Sequence, residues 1–125
     1  MTYDKNNIFA KILRKEIPCN KVYENEHALA FKDINPQAKV HVLVIPKGSY
    51  IDVDDFSKNA SKEEMVSLMH AVAEVCKITK VSLTEGGNGF RLIANTGPDG
   101  SQEVPHFHYH IMGGEPMGLR GLRKP

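Results

Sequence analysis

Apolar residues recur at helical spacing in two segments of the chain. The first is short, follows Asn6 or Asn7 as a cap, and ends before Pro18. Its apolar positions lie mostly three or four residues apart: Ile8, Phe9, Ile12 and Leu13. The second is longer and begins at Ser61, which with Glu64 has the spacing of a capping box. An apolar stripe follows the box and predicts a core-facing helix: Met65, Leu68, Met69, Val72, Val75 and Cys76.

Five other segments have the composition of β-strands. They are rich in β-branched and aromatic residues and are bounded by turn residues: 21–24, 28–34, 40–45, 90–94 and 106–112. Because short turns join most neighbours, the pattern favours an antiparallel sheet with the helices gathered on one side. The predicted order is helix, three strands, long helix and two strands, which describes an α+β domain.

Composition limits the classes of protein that this pattern can serve. A length of 125 residues without a repeat or linker predicts a single domain over residues 1–125. A formal charge of +1 argues against a dedicated nucleic-acid binder. Cys19 and Cys76 are too few for a disulfide framework, no signal peptide is visible, and the apolar run 40–45 is too short to span a membrane. We therefore expect a soluble, cytoplasmic protein without nucleic-acid or membrane partners.

Three of the six histidines, His106, His108 and His110, alternate with other residues in the last predicted strand. Alternation in a strand places them on one face, with the intervening apolar and aromatic side chains on the other. One interpretation is a partly exposed sheet face that happens to carry histidine. The other interpretations are a zinc site and a catalytic site.

Geometry weakens the zinc hypothesis without removing it. Imidazole is the commonest nitrogen ligand of zinc. At the rise of a β-strand, the Cα atoms of His106 and His110 lie about 13 Å apart, too far for both rings to converge easily on one ion. A site that used two of the three would need a ligand from elsewhere, which His41 could supply.

Catalysis on a phosphorus centre is the third hypothesis. A neutral imidazole is a good nucleophile, and its pKa near ~6.5 allows neighbouring rings to be neutral or protonated. A row of imidazoles could supply both the attacking nitrogen and hydrogen-bond donors to phosphate oxygens. The preceding loop, residues 96–102, is small and polar, so its backbone N–H groups could approach a phosphate.

The histidines belong to a longer motif that resembles the signature of the histidine triad (HIT) superfamily. Seven positions form it: Asn95, Gly100, Gln102, Val104, His106, His108 and His110. Upstream segments at 8–18, 30–38 and 41–47, and the pair Gly113-Gly114, resemble the Hint branch of that superfamily. The resemblance covers about residues 8–117, nearly the whole chain.

The resemblance implies a fold and an activity. The implied fold is a five-stranded antiparallel sheet with one long and one short helix, extended across a homodimer, with short flexible tails outside residues 8–117. The implied activity is hydrolysis of purine nucleoside 5′-phosphoramidates, such as adenosine phosphoramidate or AMP-lysine. No cofactor is expected, with zinc possible but not expected for catalysis.

The resemblance also implies roles for four histidines. His108 would attack the α-phosphorus and form a covalent nucleotidyl-histidine, from which water would release the nucleoside monophosphate. His106 would orient His108 through its backbone carbonyl and fix its tautomer. His110 would hydrogen-bond the phosphate, and His41 would complete the cluster from a neighbouring strand.

Ten further residues match substrate-binding positions of the family. Asp33 matches the carboxylate that accepts hydrogen bonds from the ribose hydroxyls. Five residues match the apolar slot around the base: Ile8, Phe9, Ile12, Phe31 and Ile34. Four match positions that contact the phosphate and the leaving group: Asn95, Ser101, Gln102 and Glu103.

Some positions depart from the Hint pattern and keep alternatives open. Glu103 stands where many Hint proteins carry a serine thought to assist the leaving group. The run from Gln102 to His106 is similar to the Fhit branch, whose members cleave dinucleoside polyphosphates. The segment 118–125 lacks the aromatic residue that some Hint tails place near the partner's site. The alternatives are a dinucleoside polyphosphate hydrolase and a non-catalytic nucleotide-binding dimer.

Overall fold

The computed structural model describes residues 2–118. Within this range the chain forms three α-helices and five strands in the order α1 (Ile8–Leu13), β1 (Lys21–Glu24), β2 (Ala28–Lys32), β3 (Val40–Pro46), α2 (Val53–Asn59), α3 (Lys62–Ile78), β4 (Phe90–Ile93) and β5 (Tyr109–Gly113). A 3₁₀ turn at Leu83–Glu85 precedes β4. The strands form one antiparallel sheet in the order β1-β2-β3-β5-β4. The predicted α+β class and its five-stranded antiparallel sheet are confirmed.

The helix starts follow the predicted caps. The side chain of Asn7 accepts a hydrogen bond from the Ala10 backbone N–H at 2.9 Å and begins α1. Ser61 and Glu64 form the reciprocal capping box of α3, with N···O distances of 3.0 and 3.1 Å. The prediction of only one short helix is wrong, because α2 adds a second. Its seven residues bury a single side chain, Phe56, so the sequence carries no apolar period there.

The last strand begins later than predicted. β5 starts at Tyr109, which pairs with Val44 of β3, and the pairing continues to Gly113 opposite Val40. Residues 106–108 precede it, and the backbone N–H of His106 bonds back to the Val104 carbonyl at 2.9 Å. Only one histidine of the triad, His110, therefore lies in the sheet.

The helices occupy both faces of the sheet, so the expectation of helices on one side is wrong. One face packs against α2 and α3 around a buried cluster: Ala28, Ala30, Val42, Val44, Phe56, Leu68, Ala71, Val72, Val75, Cys76, Val81, Phe107 and Ile111. We call this the core face. The opposite face, which we call the site face, packs against α1 through a second cluster: Phe9, Ile12, Leu29, Phe31, Leu43 and Ile45. Met69 of the predicted α3 stripe is 50% exposed instead of buried.

The structure describes nearly all of the segment before the motif core and little of the segment after it. Residues before Ile8 were expected to form a short tail, but Tyr3 and Lys5 form hydrogen bonds with the rest of the domain. The expected C-terminal tail, residues 118–125, lies outside the described residues except for Gly118. No helix within residues 2–118 is long and apolar enough to cross a membrane.

Candidate active site

Strand pairing brings His41 and His110 to the same face. His41 is on β3 and lies two residues from Leu43, which pairs directly with His110 of β5. Cross-strand partners share a face, and so do residues two apart along one strand. Both imidazoles therefore project on the site face beside α1, and their ring nitrogens are 2.9 Å apart.

His106 precedes β5 and is completely buried. Its Nε2 is 2.8 Å from the carbonyl oxygen of Pro46, and its Nδ1 is 2.6 Å from the hydroxyl of Tyr3. A carbonyl only accepts, so the proton of His106 is on Nε2, and Nδ1 accepts from the tyrosine. Burial lowers the pKa of His106 to about 4, so the ring is neutral at physiological pH.

His108 is held by the backbone of His106. Its Nδ1 is 2.8 Å from the His106 carbonyl oxygen, which fixes the proton on Nδ1 and leaves the lone pair on Nε2. The ring of Phe9 meets the imidazole edge-on, with ring centres 4.9 Å apart. Burial lowers the pKa of His108, although its hydrogen bond to that carbonyl and nearby carboxylates oppose the shift. The result is a neutral imidazole with an unprotonated Nε2.

A chain of hydrogen bonds fixes the other two tautomers. The backbone N–H of Gln37 donates to Nδ1 of His41 at 3.0 Å, so His41 carries its proton on Nε2. That N–H lies 2.9 Å from Nδ1 of His110 and 3.3 Å from Oδ2 of Asp33. His110 therefore accepts at Nδ1 and keeps its own N–H at Nε2 as a free donor. Burial, followed by the neighbouring His108 and His41, lowers the pKa of His110 to about 4.

The cluster opens into a pocket of about 720 Å³. Twelve of the fourteen predicted site residues line it: Ile8, Phe9, Ile12, Phe31, Asp33, Ile34, His41, Asn95, Ser101, Glu103, His108 and His110. Ile34 is 82% exposed and Ile8 is 42% exposed, and both side chains line the pocket, so they present apolar surface to a ligand there. Ile8 and Ile34 therefore form the exposed part of the apolar slot, whereas Phe9, Ile12 and Phe31 also belong to the buried cluster of the site face.

Gln102 and His106 are the two predicted site residues outside the pocket lining. The side-chain amide of Gln102 donates to the carbonyls of Ile51 and Val104 at 2.7 and 3.0 Å. Its oxygen accepts from the backbone N–H of Gly97 at 3.1 Å. Gln102 therefore uses its amide to hold the loop before the triad in shape.

That loop is tightly folded where it meets the pocket. Ser101 lines the pocket with a φ of +56°, a left-handed conformation that non-glycine residues rarely adopt. A Cβ on Gly100 would approach the backbone oxygen and nitrogen of Thr96 to 2.5 and 2.7 Å, so only glycine fits at that position. Backbone strain of this kind is typical of functional loops.

The structure adds residues that sequence reasoning missed. Eight more line the pocket: Ile17, Pro18, Cys19, Lys32, Asn35, Gln37, Leu43 and Val104. Tyr3 contacts His106 from 103 positions away, and no sequence pattern connects the two. Gln37 acts through its backbone N–H, which any residue but proline would provide.

Three potential metal donors also meet at this cluster. Asp33, His41 and His110 each offer one ligand atom, and these atoms lie within 4.8 Å of one another. Two imidazoles and a carboxylate suit zinc chemically. However, the proton on Nε2 of His41, which now bonds to His110, would have to leave before that nitrogen could bind a cation.

Fold and site together define an α+β protein in which neutral imidazoles, held by backbone carbonyls and by one another, form one wall of a half-apolar pocket. The HIT domain model matches residues 14–117 of the chain. The chain belongs to the HIT family.

Relatives cover nearly the whole chain. An uncharacterized 13.2 kDa HIT-like protein of Azospirillum brasilense is 54% identical over 117 residues, 94% of this chain and 93% of its own. The purine nucleoside phosphoramidase of Escherichia coli K12 is 42% identical over 116 residues, 91% of this chain and 92% of its own. Among solved structures, a HIT family hydrolase from Clostridium thermocellum is 38% identical with a TM-score of 0.83, and the match covers 95% of this chain and 99% of that one.

Proposed function

We propose that this protein is a nucleotide-binding hydrolase that cleaves purine nucleoside 5′-phosphoramidates through a covalent intermediate on His108. The observation that carries the proposal is the fixed tautomer of His108, whose Nδ1–H is bonded to the His106 carbonyl at 2.8 Å while Nε2 keeps its lone pair. A neutral imidazole with this arrangement is an activated nucleophile. The E. coli relative named purine nucleoside phosphoramidase supports the choice of substrate class.

The reaction would proceed in two displacements at phosphorus. Nε2 of His108 forms a bond to phosphorus as the P–N bond breaks, and the amine takes up a proton from solvent as it leaves. Water then attacks the nucleotidyl-histidine, releases the nucleoside monophosphate and a proton, and restores neutral His108. The net reaction consumes one water and yields a nucleoside monophosphate and an amine.

His110 would stabilise the charge on the phosphoryl oxygens. Its Nε2–H is free because its Nδ1 accepts from His41, and His41 is in turn fixed by the backbone of Gln37. A donor fixed in this way needs no reorganisation when negative charge develops. In this proposed reaction imidazole donors stabilise the charge that a metal ion stabilises in other enzymes, so chelation should leave the rate unchanged.

Asp33 and the apolar slot would bind the nucleoside. One oxygen of Asp33 accepts from the backbone N–H of Asn35 at 2.8 Å, and the other lies 3.3 Å from His41. Its remaining lone pairs can accept from the two ribose hydroxyls. The exposed faces of Ile8 and Ile34 provide an apolar surface for a planar base.

Charge in the pocket favours an amine over a polyphosphate as the leaving group. Among the described lining residues, Asp33 and Glu103 are acidic and Lys32 is the single lysine or arginine. A departing nucleoside polyphosphate carries several negative charges, which these carboxylates would repel. A departing amine is neutral or positive. The dinucleoside polyphosphate alternative therefore has less support than the phosphoramidate.

A rapid-quench experiment with intact-mass detection tests the proposal. Mixing the protein with an adenosine phosphoramidate should give an adenylyl adduct that maps to His108. The ratio of kcat/KM for the phosphoramidate and for diadenosine triphosphate should exceed one. Turnover without any adduct would contradict the mechanism, and AMP binding without turnover of either substrate would favour a non-catalytic nucleotide-binding dimer.

We also propose that the working unit is a homodimer whose sheet continues through β4. Within the described chain β4 pairs only with β5, so its other edge is open. Apolar side chains are exposed on this edge and on the adjacent helix α3: Val66, Met69, Phe90 and Leu92. Sedimentation of the parent should give a dimer, and Leu92→Glu should give a monomer. A monomeric parent would contradict the proposal.

A further inference from the structure

The N-terminal segment contacts the triad at His106, which does not line the pocket. The hydroxyl of Tyr3 lies 2.6 Å from Nδ1 of His106, and the two rings meet edge-on with centres 5.6 Å apart. The segment is tied to α1 nearby, because the backbone N–H and the side-chain amide of Asn7 both donate to the Asp4 carbonyl, at 3.3 and 2.7 Å. Tyr3 is therefore placed on the triad by neighbouring contacts.

The ring of His106 is fixed in orientation once Tyr3 is in place. It is completely buried, and its two ring nitrogens are held by Tyr3 on one side and the Pro46 carbonyl on the other. The backbone carbonyl of this same residue accepts the Nδ1–H of His108 at 2.8 Å. Two hydrogen bonds, joined by the covalent structure of His106, thus connect the tyrosine hydroxyl to the ring of His108.

We propose that Tyr3 is a positioning residue for nucleotidyl transfer, acting on His108 through His106; the inference rests on the function proposed above. Without the hydroxyl, a buried Nδ1 lone pair has no donor, which is unfavourable and is relieved by rotation of His106 or by entry of water. Either response moves the carbonyl that orients His108. The nucleoside-binding part of the pocket is unchanged, because neither Tyr3 nor His106 lines the pocket.

Tyr3→Phe removes the hydroxyl and keeps the ring. We expect kcat for an adenosine phosphoramidate, and the rate of adduct formation, to fall about tenfold because a misplaced nucleophile attacks less often. KM and the affinity for AMP should stay at parental values. Tyr50→Phe is the matched control, since the Tyr50 hydroxyl bonds to the Glu64 carboxylate at 2.8 Å and does not line the pocket. This control should retain the parental kcat.

Nitrogen-15 NMR of the histidine rings gives a second readout that does not depend on turnover. In Tyr3→Phe the Nδ1 signal of His106 should shift as it loses its donor, and the Nδ1–H of His108 should exchange faster with solvent. Both signals should be unchanged in Tyr50→Phe. If the parent turns over no phosphoramidate, the proposed function fails, and the NMR comparison still decides whether Tyr3 holds His108.

Two results would overturn the inference. One is a Tyr3→Phe protein with parental kcat and an unchanged His108 signal. The other is a parallel loss of stability, AMP affinity and kcat in this variant, which would show that Tyr3 only supports the fold. A loss confined to kcat, together with the altered His108 signal, supports it.

Discussion

The two faces of the sheet carry different kinds of side chain at adjacent positions of the same strands. On the core face Val42 and Val44 of β3 and Ile111 of β5 pack against α3 with essentially no exposed surface. On the site face, one residue away along each strand, the imidazole of His41 is buried and that of His110 is half-buried. Apolar side chains have no hydrogen bonds to water that burial would break. An imidazole, in contrast, is stable in a buried position only when it is neutral and hydrogen-bonded. The site face therefore carries the reactive groups, and the apolar packing of the core face stabilises the strands that hold them.

The largest effect should come from removing the nucleophile on the site face. We expect His108→Ala to lower the rate of phosphoramidate hydrolysis by about 10⁴-fold or more, as for nucleophiles of other covalent hydrolases. AMP affinity, measured by calorimetry, should remain because the apolar slot and Asp33 are untouched. A variant that hydrolysed the substrate at the parental rate would remove the basis of the mechanism.

A substitution on the core face should have the opposite signature. Ile111 is completely buried against α3, so Ile111→Ala should lower the free energy of unfolding by about 2–5 kcal/mol. Denaturant titration measures that change. The kcat of the folded fraction should stay within about threefold of the parent, because Ile111 is not in the pocket lining. A large loss of kcat in fully folded Ile111→Ala would show that the two faces are not separable.

The core face was the easier of the two to predict from sequence. Apolar residues at strand and helix spacing identify it, and the Ser61–Glu64 capping box fixed the start of α3 in advance. The motif and the resemblance likewise predicted twelve of the residues that line the pocket, with His108 among them, while their roles stay predictions. What the sequence did not show depends on long-range or backbone contacts, such as the hydroxyl of Tyr3 on His106 and the N–H of Gln37 on His41. Helix α2 was missed because it buries one side chain.

Acid should lower the free energy of unfolding through the buried histidines of the site face. An unfolded histidine takes up a proton near its ordinary pKa of 6.5, whereas buried His106 resists protonation until about pH 4. The unfolded chain therefore binds more protons between these values, and stability falls as pH drops from 6.5 to 4, by up to about 3 kcal/mol for His106. The lowered pKa of His110 acts in the same direction.

Denaturant titrations at pH 7 and pH 4.5 measure this loss. His70→Gln is the control, since His70 is exposed on α3 and its removal should leave the loss unchanged. Activity should persist below pH 6.5, because burial also lowers the pKa of His108 and keeps its Nε2 unprotonated. A stability that is flat from pH 7 to 4.5 would show that these imidazoles are not held neutral in the folded protein.

The smallest expected effect concerns selectivity at the edge of the site face. Glu103 lines the pocket beside His108, and its carboxylate should disfavour polyphosphate leaving groups more than amines. We expect Glu103→Gln to raise kcat/KM for diadenosine triphosphate relative to a phosphoramidate by about 3- to 10-fold, equivalent to roughly 1 kcal/mol in the transition state. Asp99→Asn is the matched control, because Asp99 is an exposed acid of the same loop and does not line the pocket. An equal ratio in both variants would mean that the charge of Glu103 does not set the leaving-group preference.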